Sequence, residues 1–216
     1  MTRTFLMTRT LLPPRAFLTP GMRVGLLGGS FNPAHDGHLH ISRMALKNLA
    51  LDRLIWLVSP QNPLKSSAET APLEKRLAEA RALAHSLTQG PEGDRRIWVT
   101  DMERALGTRF SVDTVRALKA RYPAVRFIWL MGSDNLIQLP KWSRWRDLVA
   151  TIPLAIYDRP GTSLKARILA RESTAFGLHL DPADATILPL VQPPAITFLA
   201  GPEHPASSTA LRAGRS

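Results

Sequence analysis

The fold class that the sequence predicts is an α/β domain, and three features predict it. Short apolar runs alternate along the chain with segments whose apolar residues recur at helical spacing. The first of those runs is continuously apolar, as strands of a parallel sheet covered on both faces are. The length of 216 residues suits one such domain with a proper core.

The opening segment, residues 1–22, carries Arg3, Arg9 and Arg15 among short apolar pieces and is expected to be a disordered extension. It has neither the continuous apolar stretch nor the small-residue cleavage site of a signal peptide. The folded domain is expected to span residues 23–216. Arg23 to Leu27 is its first strand. The strand runs into Gly28-Gly29-Ser30-Phe31-Asn32-Pro33-Ala34-His35-Asp36-Gly37-His38, and a helical pattern follows through Leu39, Ile41, Met44, Ala45, Leu49 and Leu51. Strand, tight turn and helix start make the first βα unit.

Leu54 to Val58 is a second strand, and it ends in Ser59-Pro60-Gln61-Asn62-Pro63-Leu64-Lys65. A polar, proline-rich loop beyond a strand's carboxyl end is where an open α/β sheet binds ligands, so Lys65 is placed to reach a phosphate. Pro72 to Leu87 reads as a helix with proline in its first turn, Gln89 to Asp94 as a loop and Arg96 to Thr100 as a third strand. Gly107 to Thr114 precedes a helical run from Val115 to Arg121. Ser111 is a candidate N-cap there, with the Asp113 carboxylate in the first turn. Val125 to Met131 is the clearest strand, leading into Gly132-Ser133-Asp134-Asn135 and then Leu139-Pro140-Lys141-Trp142-Ser143-Arg144-Trp145. Leu154 to Tyr157 is a strand, Asp158-Arg159-Pro160-Gly161 a turn and Ser163 to Ala175 a helix. Ile187 to Val191 and Ile196 to Leu199 read as short strands. At the end, Ser207-Ser208-Thr209 stand before a short helical segment that carries Arg212.

Composition narrows the chemistry. Cysteine is absent, which excludes disulfides, thiolate metal sites and cysteine nucleophiles, and fits a reducing cytoplasm. The net charge of +11 suits nucleic acid, an anionic surface or a polyphosphate substrate. Its arginines are scattered rather than gathered with aromatic residues on one stretch, which argues against RNA binding. Nothing is long enough for a transmembrane helix.

The turn after the first strand carries the chemistry. Gly28 and Gly29 permit positive φ and let backbone amides approach a ligand. His35 and His38, three apart across Gly37, project to one side of a helix start whose free N–H groups favour an anion. Each residue alone has an ordinary explanation in capping, packing or turn sterics. Two imidazoles and a ring of amides at one strand-to-helix turn point to phosphate chemistry. His35-x-x-His38 lacks a third ligand nearby, so no metal site is expected.

The order of the blocks, G-G-S-F-N-P-A-H-D-G-H, S-P-Q-N-P-L-K, F-S-V-D-T-V, W-L-M-G-S-D-N-L, L-P-K-W-S-R-W and S-S-T-A-L-R, resembles the bacterial nicotinate-nucleotide adenylyltransferases of the H-x-G-H nucleotidyltransferase superfamily. The likeness runs from Val24 to Arg212. It implies a Rossmann-like open parallel sheet with helices on both faces, a short C-terminal helical element and an active site at the strands' carboxyl ends. Residues 23–216 would then be the catalytic domain. ATP and nicotinate mononucleotide are the implied substrates, with Mg²⁺ held mainly by ATP phosphates and water.

On that resemblance, the mononucleotide phosphate attacks the α-phosphorus of ATP in line and pyrophosphate leaves. His38 is expected as a charge-assisted donor to the α-phosphate, and His35 as an orienter of the phosphates. Gly28, Gly29, Ser30, Phe31 and Lys65 are expected around ATP. Ser207, Ser208 and Thr209 with Arg212 are expected on its outer phosphates. Asp134 is the expected nucleotide contact, Trp142 the stacking partner of the pyridine ring, and Ser111 and Asp113 shape the loop around it. Related enzymes using phosphopantetheine or nicotinamide mononucleotide, and a non-catalytic nucleotide sensor, are the alternatives. The oligomeric state stays open.

Overall fold

The computed structural model describes residues 17–60, 70–86 and 96–199. Seven parallel strands form one open sheet: β1 (Arg23–Gly29), β2 (Arg53–Val58), β3 (Ile97–Thr100), β4 (Arg126–Gly132), β5 (Leu154–Tyr157), β6 (Leu178–Leu180) and β7 (Ala195–Leu199). Their order is β3-β2-β1-β4-β5-β7-β6. The chain builds outward from β1 through β2 to β3, then returns to pair β4 against the other side of β1, with Leu26 opposite Trp129. That reversal is a topological switch point, and the crevice beyond the carboxyl ends of β1 and β4 is where such a sheet takes ligands.

Because right-handed crossovers running in opposite directions lie on opposite faces, the helices divide into two layers. Helices α1 (Asp36–Asn48) and α2 (Leu73–Ser86) cover one face. There Leu39, Ile41, Ala45 and Leu77 pack on Leu54, Trp56 and Ile128. The helices α3 (Met102–Leu106), α4 (Ser111–Arg121), α5 (Ser133–Gln138), α6 (Trp145–Thr151) and α7 (Ser163–Glu172) follow in the chain. Val112, Val115, Leu118, Leu148 and Ala166 from this group meet Leu26, Ile55, Trp129 and Met131 on the other face. Alternate residues of one strand thus feed two cores, which is why the strands read as continuous apolar runs.

Packing begins ahead of the expected boundary at Arg23. Leu18 is buried in the second core, and the Phe17 ring lies 5.1 Å from Trp98.

Several local expectations are corrected. Ser111 is not the N-cap of α4 but its first helical residue; Phe110 occupies the cap position without a side-chain hydrogen bond. Two helices that the sequence analysis did not anticipate follow β4: α5 begins at Ser133 and α6 at Trp145. Ile187 to Val191 is not a strand. A 3₁₀ helix spans Pro182–Leu190, started by the Asp181 carboxylate accepting the Ala183 N–H at 2.9 Å, and it buries Ala185 and Leu188 against the sheet. An apolar run of that length is compatible with either structure until its neighbours are known.

Candidate active site

A cleft of about 390 Å³ opens at the β1/β4 switch point. Gly28 to Phe31, His35 and His38 line it together with Phe110, Ser111, Lys141, Trp142 and Trp145. Asp134, Glu103 and Arg159 also belong to the lining. The cleft therefore offers imidazoles, backbone and aromatic side chains together.

Local hydrogen bonds lock the two histidines into the start of α1. His35 is the N-cap: its Nδ1 accepts the Gly37 N–H at 3.1 Å. The His35 N–H in turn reaches His38 Nδ1 at 3.2 Å, closing a reciprocal capping box made of two imidazoles. His35 Nδ1 thus accepts from backbone, whereas His38 Nδ1 lies between the His35 N–H at 3.2 Å and the His35 carbonyl at 3.3 Å, so its role follows the tautomer. The imidazoles are 4.0 Å apart between centroids, and the Phe31 ring stacks on His38 at 4.5 Å. Below them Trp56 Nε1–H donates to Ser42 Oγ at 2.9 Å, and Ser42 Oγ–H donates to the His38 carbonyl at 2.7 Å.

Burial holds the His38 pKa well below its ordinary value, with the neighbouring His35 and Arg159 adding to the depression. The ring is neutral in the ligand-free protein. In a hydrogen bond from His38 to phosphate the charge that assists it sits on the acceptor.

The glycines act differently from the expected way. Neither Gly28 nor Gly29 has positive φ; both are extended residues of β1, and the left-handed residue of the turn is Phe31 at φ 47°. Gly28 is small because the Trp129 indole lies over it, 2.8 Å from where a Cβ would stand. Gly132 makes room for an ion pair between Asp134 Oδ1 and Arg159 Nε, 3.1 Å apart, with the carboxylate oxygen 2.3 Å from a Cβ at that position.

Sequence reasoning missed Arg159. It stands two residues beyond β5 in a segment that reads as a plain turn, and its place past a strand's carboxyl end was the available signal. Glu103 was missed as well. It is 9% exposed, and burial pushes its carboxyl up to about 7 against hydrogen bonds from the Ser59 and Thr114 side chains.

Ser111 and Trp142 line the cleft. Asp113 is instead engaged by Arg144 at 2.7 Å, and Arg144 also meets Asp147 at 3.1 Å. Asp113 therefore ties the start of α4 to the 142–145 segment rather than facing the cleft. Lys65, Ser207, Ser208, Thr209 and Arg212 lie outside the described residues. Among the described residues, no group of three or more His, Asp or Glu side chains is placed to hold a metal ion, and no helix is long and apolar enough to cross a membrane.

The sequence pattern of the cytidylyltransferase-like family matches residues 26–214. A protein of Parvibaculum lavamentivorans named "Probable nicotinate-nucleotide adenylyltransferase" is 56% identical over 198 residues, covering 92% of this chain and 94% of its own. One of the same name from Methylorubrum extorquens (strain PA1) is 49% identical over 192 residues, covering 88% of this chain and 99% of its own. The fold is shared with the Plasmodium falciparum nicotinic acid mononucleotide adenylyltransferase complexed with NaAD. That likeness has a TM-score of 0.66 at 16% identity, over 89% of this chain and 83% of the other.

Proposed function

Because the chain belongs to the cytidylyltransferase-like family and is up to 56% identical to proteins named for one reaction, we propose that it transfers AMP from ATP to nicotinate mononucleotide, releasing pyrophosphate and forming nicotinate adenine dinucleotide for NAD biosynthesis. The observation that carries this reading is the imidazole pair of His35 and His38, locked at the start of α1 and set in one cleft with Trp142.

In the reaction, an oxygen of the mononucleotide phosphate forms a bond to the α-phosphorus of ATP as the bond to the bridging oxygen of pyrophosphate breaks. The attacking group is already an anion, so the protein has little proton transfer to perform. Catalysis rests on alignment and on donors aimed at developing charge. His38 Nε2–H serves the α-phosphate and His35 Nε2–H orients the phosphate chain. Arg159, paired with Asp134, adds a cation to the same cleft. Gly28, Gly29, Ser30 and Phe31 bring the β1 turn against the donor nucleotide. Trp142 stacks on the pyridine ring, a contact worth about 0.5–1.5 kcal/mol beyond its buried area. Ser111 borders that ring, while Asp113 supports it through Arg144. Lys65, Ser207, Ser208, Thr209 and Arg212 complete the set by their match to the family's blocks, on the outer phosphates.

Mg²⁺ comes with ATP, on phosphate oxygens and water, and supplies charge neutralisation there; the described residues offer no cage of their own for it. The reaction takes place in the cytoplasm. Pyrophosphate release from Mg-ATP is followed in parallel with nicotinate mononucleotide, nicotinamide mononucleotide and phosphopantetheine. Release is expected with the nicotinate substrate. Equal or faster release with another acceptor overturns the assignment of the ring site, and silence with all three from folded protein overturns the reaction.

A further inference from the structure

One buried cation remains outside this mechanism. Arg76, in the first turn of α2, is 1% exposed, and among the described residues it forms no ion pair. Its guanidinium instead meets four carbonyl oxygens. Nη1–H donates to Ser30 at 2.7 Å and Ser59 at 2.8 Å, Nη2–H to Pro60 at 2.8 Å, and Nε–H to Ala71 at 2.8 Å. Those carbonyls belong to the turn after β1, the end of β2 and the approach to α2. The planar fork of arginine can serve all of them together; the point charge of lysine cannot.

We propose that Arg76 is a positioning residue of the phosphate site: by holding the Ser30 carbonyl it fixes the Ser30–Phe31 peptide with the Phe31 N–H turned to the opposite side, toward the phosphates of the adenylyl donor. In a trans peptide the C=O and N–H point in opposite directions, so a carbonyl anchored in the interior turns the following amide away from it. Ser30 and Phe31 both line the cleft.

The anchor has a conformational load to carry. Phe31 stands at φ 47°, a region that bulky side chains avoid and that persists only where the surroundings over-determine it. Its ring is buried between His38 at 4.5 Å and Trp56 at 5.2 Å, so the same residue also supports the catalytic imidazole. Asn32 Oδ1 accepts the Ala71 N–H at 3.3 Å, a second tie from the α2 approach to the same turn. A clasp that held only α2 to the sheet would not need four backbone acceptors gathered from three segments.

This inference rests on the adenylyl-transfer reading. The test compares the wild type with Arg76→Lys and Arg76→Gln in steady-state kinetics, with thermal melts to establish folding. Loss of hydrogen bonds to a charged group should raise the KM for ATP about 10-fold or more, more in Arg76→Gln than in Arg76→Lys, with the KM for nicotinate mononucleotide changing by less than about 3-fold. Folded variants with wild-type kinetics for both substrates, or with both KM values raised alike, overturn the proposal. An independent readout needs no variant: in the wild-type protein the Phe31 amide resonance should shift when a non-hydrolysable ATP analogue is added. An unmoved Phe31 amide, with the His38 resonances shifting, refutes it. A wild type that releases no pyrophosphate refutes the reaction itself, a result distinct from either of these.

Discussion

Replacing Glu103 by glutamine should remove a pH dependence of stability that can be worked from the structure. The side chain is buried between β2 and α4, and its carboxyl titrates near 7 in the folded protein against 4.5 for the free group. The amide keeps the shape and still accepts the hydrogen bonds of Ser59 and Thr114. The folded state binds the proton more tightly than the unfolded chain. The stabilisation from the protonated carboxyl is therefore complete below pH 4.5 and is lost as pH rises through about 7. At about 1.4 kcal/mol per pH unit the full loss is about 3 kcal/mol. Urea unfolding of both proteins at matched pH values from about 5 to 8.5 isolates it, because other titrating groups cancel in the difference. The wild type should lose about 2–3 kcal/mol relative to Glu103→Gln over that range, falling steadily from the acid end and levelling off above about 7. A difference that stays flat would mean that the carboxyl is solvated, and the reasoning from burial would fail.

Further outcomes follow from the cleft. His38→Ala should lower turnover by a factor of about 10² or more while the protein stays folded, as loss of an oxyanion-type donor does; unchanged turnover removes His38 from the chemistry. Trp142→Ala should raise the KM for nicotinate mononucleotide more than that for ATP, and the reverse pattern would move the pyridine ring elsewhere. In Arg159→Gln the His38 imidazole, followed by NMR, should titrate at higher pH than in the wild type, since Arg159 helps to depress it; an unmoved midpoint means that the guanidinium does not act on that ring. Gly28→Ala puts a Cβ 2.8 Å from the Trp129 indole and should cost about 1–3 kcal/mol in a denaturation experiment, whereas unchanged stability would mean that the indole can move aside.

The α/β class and the strands of the central sheet were legible in the sequence because their signals are local. Leu154 to Tyr157 was predicted to the residue, and β1, β2, β3 and β4 to within two residues at either end. The histidine turn was legible for the same reason, since a capping box needs only residues three apart. Helices α5 and α6 were hidden because segments of six or seven residues show too little periodicity, and the 3₁₀ helix at Pro182–Leu190 because its apolar run fits a strand equally well.

By itself, then, the sequence determined the alternation of strands and helices, the anion-favouring turn with its two histidines, and the family whose blocks those residues match. The tertiary structure alone decided which side chains meet. Asp113 is drawn to Arg144 thirty-one positions away, Asp134 to Arg159 and Arg76 to the Ser30 carbonyl forty-six positions back. It also decided that the His38 pKa lies well below its ordinary value and that Glu103 holds its proton up to about pH 7, because burial by distant segments is the largest influence on both equilibria.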